Sequence, residues 1–153
     1  RIGMTIAKTL AQANDKKLIA VSTLLALANN SCSDKLKVPM IDARGNRVYG
    51  AVYDKDFNEV IKEDLYTIDV FSKLVNELDD EVELIGEISN KYEDLFINRR
   101  TLPISFNNCI GKSLIKVCLE NLDQSYNLYE LSPNYLRKSQ AERELLNDKK
   151  NAN

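Results

Sequence analysis

The 153-residue sequence has no histidine and no tryptophan, and only three prolines, five glycines and three cysteines. Without histidine there is no Ser-His-Asp triad, no histidine zinc site and no imidazole for general acid–base catalysis. An odd number of cysteines does not make a disulfide framework, and a reducing cytoplasm is the expected compartment. Cys109 and Cys118 fall on one expected helix, where their spacing holds them ~13 Å apart on opposite sides. That excludes a disulfide or a shared zinc between them. Cys32 lies in a polar Asn/Ser stretch, so all three read as unpaired thiols. No apolar run approaches the ~20 residues of a membrane helix and no signal peptide opens the chain, so a soluble protein is expected. The glycines are isolated, and GxxxxGK[ST], GxGxxG and GxSxG are all missing, which removes the phosphate-cradling and nucleophile-elbow readings. No cofactor, no catalytic residue and no metal ion is expected.

What is present is an ordinary globular composition, 44% hydrophobic and 29% charged, enough for one domain or two small lobes. The net charge of −2 hides an asymmetry. Residues 54–94 hold 14 acidic and 4 basic side chains, leaving 17 basic and 9 acidic elsewhere. Such asymmetry can orient a partner, or simply solvate helix faces. The run Asp79-Asp80-Glu81-x-Glu83 lacks the spacing and turn glycine of a calcium loop. Basic residues are dispersed, without the aromatic interleaving of an RNA-recognition motif.

Periodicity predicts alternating helices and strands, an α/β chain. Residues 2–13 read as a helix with a large apolar stripe (Ile2, Ile6, Leu10, Ala13) beside a small one (Gly3, Ala7, Ala11). Residues 18–21 read as a buried strand, after which Ser22 or Thr23 caps a helix to Asn29. The polar segment 29–37 reads as a linker. Strands follow at 38–43 and 47–53, joined around Gly45-Asn46, a hairpin signal. Thr67 caps a helix with Ile68, Phe71, Leu74, Val75 and Leu78 on one face. A strand at 82–85 precedes Gly86 and a short helix near 92–96. A longer helix at 108–122 should turn Ile110, Leu114, Val117 and Leu122 inward. Residues 131–137 read as extended, with Pro133 at a sheet edge or strand entrance, and Ser139-Gln140-Ala141-Glu142 forms a capping box for a terminal helix that frays after Leu146.

Three segments carry a family resemblance: RIGMTIAKTLAQA at 1–13 continuing into KLIAVSTLLALA at 17–28, IDARGNRVY at 41–49, and SPNYLRKSQAERE at 132–144. In order and spacing they resemble the bacterial TsaB (YeaZ) family of glycoprotease-like partner proteins in the synthesis of N6-threonylcarbamoyladenosine on transfer RNA. The resemblance implies an actin-like, sugar-kinase-like fold of two ribonuclease H-like lobes. Against that pattern the chain looks like a fragment lacking the opening strands of the first lobe. The implied organisation is a helix-strand-helix remnant at 1–30, a linker at 31–37, a complete second lobe at 38–146 and a frayed tail at 147–153.

The family's catalytic relatives, the TsaD type, carry an H-x-x-x-H metal pair where this chain has Thr23 and Leu27, neither able to replace a histidine ligand. The resemblance therefore implies a non-catalytic cytoplasmic subunit that supports a TsaD-type catalytic subunit. A TsaE-type ATPase, a second copy of the chain and, indirectly, transfer RNA are the further partners it implies. Helix-on-helix docking in the first lobe would involve Met4, Ala7, Lys8 and Ala11. Tyr135 and Arg137, on one side of an extended segment, could meet a partner or RNA, or stack within the fold. Two alternatives stay open: a transfer-RNA-binding module of the same pathway, and a glycoprotease-type peptidase.

Overall fold

The structure, a computed structural model, describes residues 2–106, 111–123, 127, 130–134 and 136. Its framework is a five-stranded mixed sheet of β1 (Leu36–Asp42), β2 (Arg47–Tyr53), β3 (Glu59–Thr67), β4 (Val82–Ile85) and β5 (Arg99–Thr101), in the order β3-β2-β1-β4-β5. The first three strands form an antiparallel meander, while β4 and β5 run parallel to β1. This is the sheet of an actin-like, ribonuclease H-like lobe, as the resemblance implies.

Strand alternation gives the sheet two faces. On one, Val38, Met40, Val48, Val52, Val82 and Leu84 form a closed core with α3 (Ile68–Asn76) and the short α4 (Ser89–Tyr92). Phe71 stacks on Tyr66 and meets Phe96 edge-on. Phe71 also explains Gly50: a Cβ there would stand 2.7 Å from its ring. The opposite face carries Ile41, Tyr49, Ala51 and Tyr53, covered by α2 (Thr23–Ala28) through Leu24 and Ala28. Ser22 caps α2, its hydroxyl accepting from the Leu24 and Leu25 amides at 3.1 and 3.3 Å. α1 (Ile2–Ala13) takes the expected span, but its large stripe faces water, with Ile2, Ile6 and Leu10 at 79, 54 and 59% exposure.

Several expectations need correction. Among the described residues, 18–21 make no strand, and Leu18 alone forms an isolated bridge. β1 starts at Leu36, inside the expected linker, and Asn29, Asn30 and Ser31 are buried. Thr67 stands at the N-cap of α3 without a side-chain hydrogen bond; the Ile68 amide is instead taken by the Asn46 carbonyl at 3.0 Å. α5 (Gly111–Glu120) buries Ser113 and Val117 and leaves Leu114 and Leu122 exposed. A polar tie sets that rotation: Asn30 donates to the Phe106 carbonyl at 2.6 Å and accepts from the Ser113 hydroxyl at 2.6 Å. Residues 131–134 and 136 have no strand pairing, so Pro133 marks no sheet edge. Ile110, Cys109 and the capping box at 139–142 lie outside the described residues.

The backbone passes close to itself at Gly86, where φ is +125° and a Cβ would come within 2.0 Å of the Met40 carbonyl oxygen. Gly86→Ala should therefore destabilise more than Gly50→Ala, whose obstacle is a side-chain ring, with the latter costing ~1–3 kcal/mol by overpacking. Urea unfolding of the two variants beside the parent chain checks the order.

Candidate functional site

A cleft of about 410 Å³ opens where the N-terminal end of α2 meets α1 and the α2-covered face of the sheet. Its apolar lining includes Met4, Val21, Leu24, Ile41, Tyr49 and Leu136. Its volume falls in the range of ligand pockets, ~300–1,000 Å³. Its polar lining comes from Ser22, Thr23, Glu63 and Asn134. The Tyr53 hydroxyl donates to Glu63 Oε1 behind the lining, and Glu63 itself faces the cleft. Burial, then the hydrogen bond and charge of Glu63, push the Tyr53 phenol well above its usual range.

The sequence-derived residues distribute unevenly around this cleft. Met4 and Thr23 both line it. Ala7 and Lys8 are half-buried and Ala11 is buried, so this side of α1 rests against the rest of the chain. Thr23 is exposed, whereas Leu27 is buried in a cluster with Ile85 and Leu102, against Ile41. One hydroxyl and an aliphatic core side chain do not fit a metal ion, and no group of metal-ligating side chains is found among the described residues. Tyr135 and Arg137 lie outside the described residues; their neighbours Asn134 and Leu136 border the cleft. In the hairpin, Asn46 donates to Asp69 at 3.2 Å and Arg47 to the Arg44 carbonyl at 3.2 Å, a local structural use.

The acidic run disperses. Glu81 pairs with Lys35 at 2.6 Å. Glu83 points into the sheet face, accepting from the Ser31 hydroxyl with Arg100 3.8 Å away. Cys32 and Cys118 are free thiols. Sequence reading missed Glu63 because it missed β3, although the alternation Ile61, Glu63, Leu65 was there to place a carboxylate on a half-buried face.

A family model described as TsaD: tRNA N6-adenosine threonylcarbamoyltransferase matches residues 1–144. No curated protein matches the chain significantly. Among solved structures, that of an uncharacterized Pseudomonas aeruginosa protein with similarity to peptidase YeaZ superposes with a TM-score of 0.74 at 20% identity, over 90% of this chain and 67% of that one. YeaZ from Pseudomonas aeruginosa superposes with a TM-score of 0.70 at 18% identity, over 88% of this chain and 67% of that one. At these identities the likeness shows the fold. The chain spans about two-thirds of either neighbour's length. Among the described residues no helix is long and apolar enough to cross a membrane.

The raised Tyr53 phenol has a consequence at alkaline pH. An unfolded phenol ionises near 10.0, while the folded one keeps its proton beyond that value. The unfolded state then binds fewer protons, so stability falls as pH rises through this window. Tyr53→Phe should flatten the fall in urea unfolding at stepped pH, with a remainder from Tyr66, which burial also pushes up.

Proposed function

From the premise that this chain belongs to the TsaD family, we propose that it acts as a non-catalytic subunit, binding and supporting a TsaD-type catalytic subunit in transfer-RNA threonylcarbamoyladenosine formation. The match to the TsaD family model over residues 1–144, on a sequence without histidine, carries this reading, and the exposed apolar stripe of α1 offers a surface for it. Three large aliphatic side chains on one helix face, each more than half exposed, are a patch that association removes from water. Burying a side chain of this kind is worth ~1.5–3 kcal/mol. Gly3 has no neighbour within 4 Å and leaves room for a second helix, while the half-buried Met4, Ala7 and Lys8 flank the contact. Ala11 supports the helix from beneath, where it is buried.

The chemistry supports the same reading. The chain has no histidine, and Leu27 holds an apolar core place where catalytic relatives have a ligand. A YeaZ-like fold without that pair suits a scaffold. The TsaE-type ATPase and a second copy of the chain are further partners in this proposal, and transfer RNA is met through the complex.

Reconstitution tests it. The chain alone should leave transfer RNA unmodified, and adding it to a TsaD-type subunit with the remaining pathway components should raise the yield of modified adenosine. Modification by the chain alone, or no effect of adding it, would overturn the proposal. Ile6→Glu places a charge in the centre of the stripe and should weaken binding to the catalytic subunit about tenfold or more by calorimetry, equivalent to ~1.4 kcal/mol. An unchanged affinity in the folded variant would move the interface off α1.

A further inference from the structure

Among the described residues β3 is the longest strand of the sheet, and it pairs on one side only, with β2. Its Val60, Ile61, Leu65, Tyr66 and Thr67 favour extended pairing, and Val60 is 43% exposed. An edge of this kind is a template for the edge of another chain. Register gives the direction of its backbone groups. The Arg47 carbonyl turns toward β1, where it accepts from the Ala43 amide at 3.0 Å. Tyr49, two residues on, faces the same way, opposite Ile41. Leu65, the partner of Tyr49 on β3, therefore directs its own N–H and carbonyl to the outer side.

That amide is taken within the strand: it donates to Asp64 Oδ1 at 2.7 Å. Two positions earlier the Glu63 amide donates to Glu59 Oε1 at 3.2 Å. The Lys62 carbonyl accepts from the Tyr66 hydroxyl at 2.8 Å. Three backbone groups are thus held by side chains of the same strand, in the stretch where register shifts interrupt the ladder with β2. Glu59 and Asp64 are exposed, so water could satisfy their oxygens without any help from the backbone.

We propose that Glu59 and Asp64 cap the outer edge of β3 and so keep it from pairing with the β3 of a second copy of this chain. Two such strands would meet antiparallel about a two-fold axis, each offering carbonyls to the amides of the other. While the carboxylates hold the Glu63 and Leu65 amides, an incoming carbonyl finds those donors occupied and meets negatively charged oxygens. A second copy then meets this chain away from β3. The edge is separate from the exposed stripe of α1, so the cap can fail while the subunit proposal stands, and the reverse.

Amide hydrogen exchange, read by NMR on the full chain and corrected for intrinsic rates, tests the cap. In the parent, the Glu63 and Leu65 amides should exchange about tenfold or more slower than unprotected amides. Asp64→Ala should speed Leu65 about tenfold and leave Glu63 unchanged, and Glu59→Ala should do the reverse. Sedimentation at stepped concentrations reads the consequence. Glu59→Ala with Asp64→Ala should associate beyond the parent, and both amides should regain protection as concentration rises. Glu59→Gln with Asp64→Asn keeps the acceptor oxygens and should match the parent. Unprotected amides in the parent, or an alanine variant whose amide is no faster, would overturn the proposal. So would a double-alanine chain that associates no more than the parent, or a Gln/Asn chain that associates as the double-alanine one does. The first reading is made on the parent protein, so it tests the cap whether or not the variants fold.

Discussion

A lysine ammonium buried in the central strand holds one end of this lobe together. Lys37 is 1% exposed, and its Nζ donates to the carbonyls of Ser33, Lys35 and Asp54 at 2.9, 3.3 and 3.4 Å. Burial lowers its pKa, against the pull of Glu83 and Asp54. A charge in such a place is tolerated only when its protons are taken and a counter-charge stands near. Both conditions are met by register, since Lys37 and Glu83 are paired positions on β1 and β4. The three carbonyls belong to the connection leaving α2 and to the turn between β2 and β3. One side chain therefore ties the helix layer to the sheet and the hairpin to both.

The same ammonium explains a strained residue. Phe57 has a φ of +64° in the β2–β3 turn, a conformation uncommon for a bulky side chain. Its ring lies 4.9 Å from Lys37 Nζ and 4.9 Å from Lys116 Nζ, and it packs against the cluster of Leu24, Ala28, Ala51 and Tyr53. Cation–π attraction at a desolvated site, together with apolar burial, offsets a backbone cost of ~1–3 kcal/mol. Glycine would relieve the backbone but abandon the ring, and with it the contact between the turn and α5 through Lys116.

Much of this framework was legible in the sequence, and the exceptions share a cause. α1, β2 and β4 coincide with their expected spans because each has a clean helical or apolar pattern. β3 escaped because it is an edge strand, studded with Glu59, Lys62, Glu63 and Asp64, and register shifts against β2 break its alternation. β5 escaped because three residues, two of them arginine, carry no periodicity. The rotation of α5 was illegible because a polar contact fixes it: Asn30 and Ser113 stand 83 positions apart. For the cleft, Met4 and Thr23 were visible singly. Their convergence, and the presence of Glu63 between them, depended on the strand that the pattern concealed.

The division of labour between the two sheet faces follows from what each must satisfy. The face under α3 has an apolar centre that closes on Phe71. The face under α2 carries Lys37, Glu83, Tyr53 and Glu63, each needing a partner. Deep in the fold those needs are met by backbone carbonyls and by Ser31. Toward the α1 end, among the described residues, the Tyr53 hydroxyl meets one oxygen of Glu63, which faces the cleft. Functional chemistry concentrates where a stable scaffold leaves polar groups with unused valence. Here that place adjoins α1, whose Met4 reaches into the cleft while Ile2, Ile6 and Leu10 face outward. One helix thus borders both the cleft and an exposed apolar stripe.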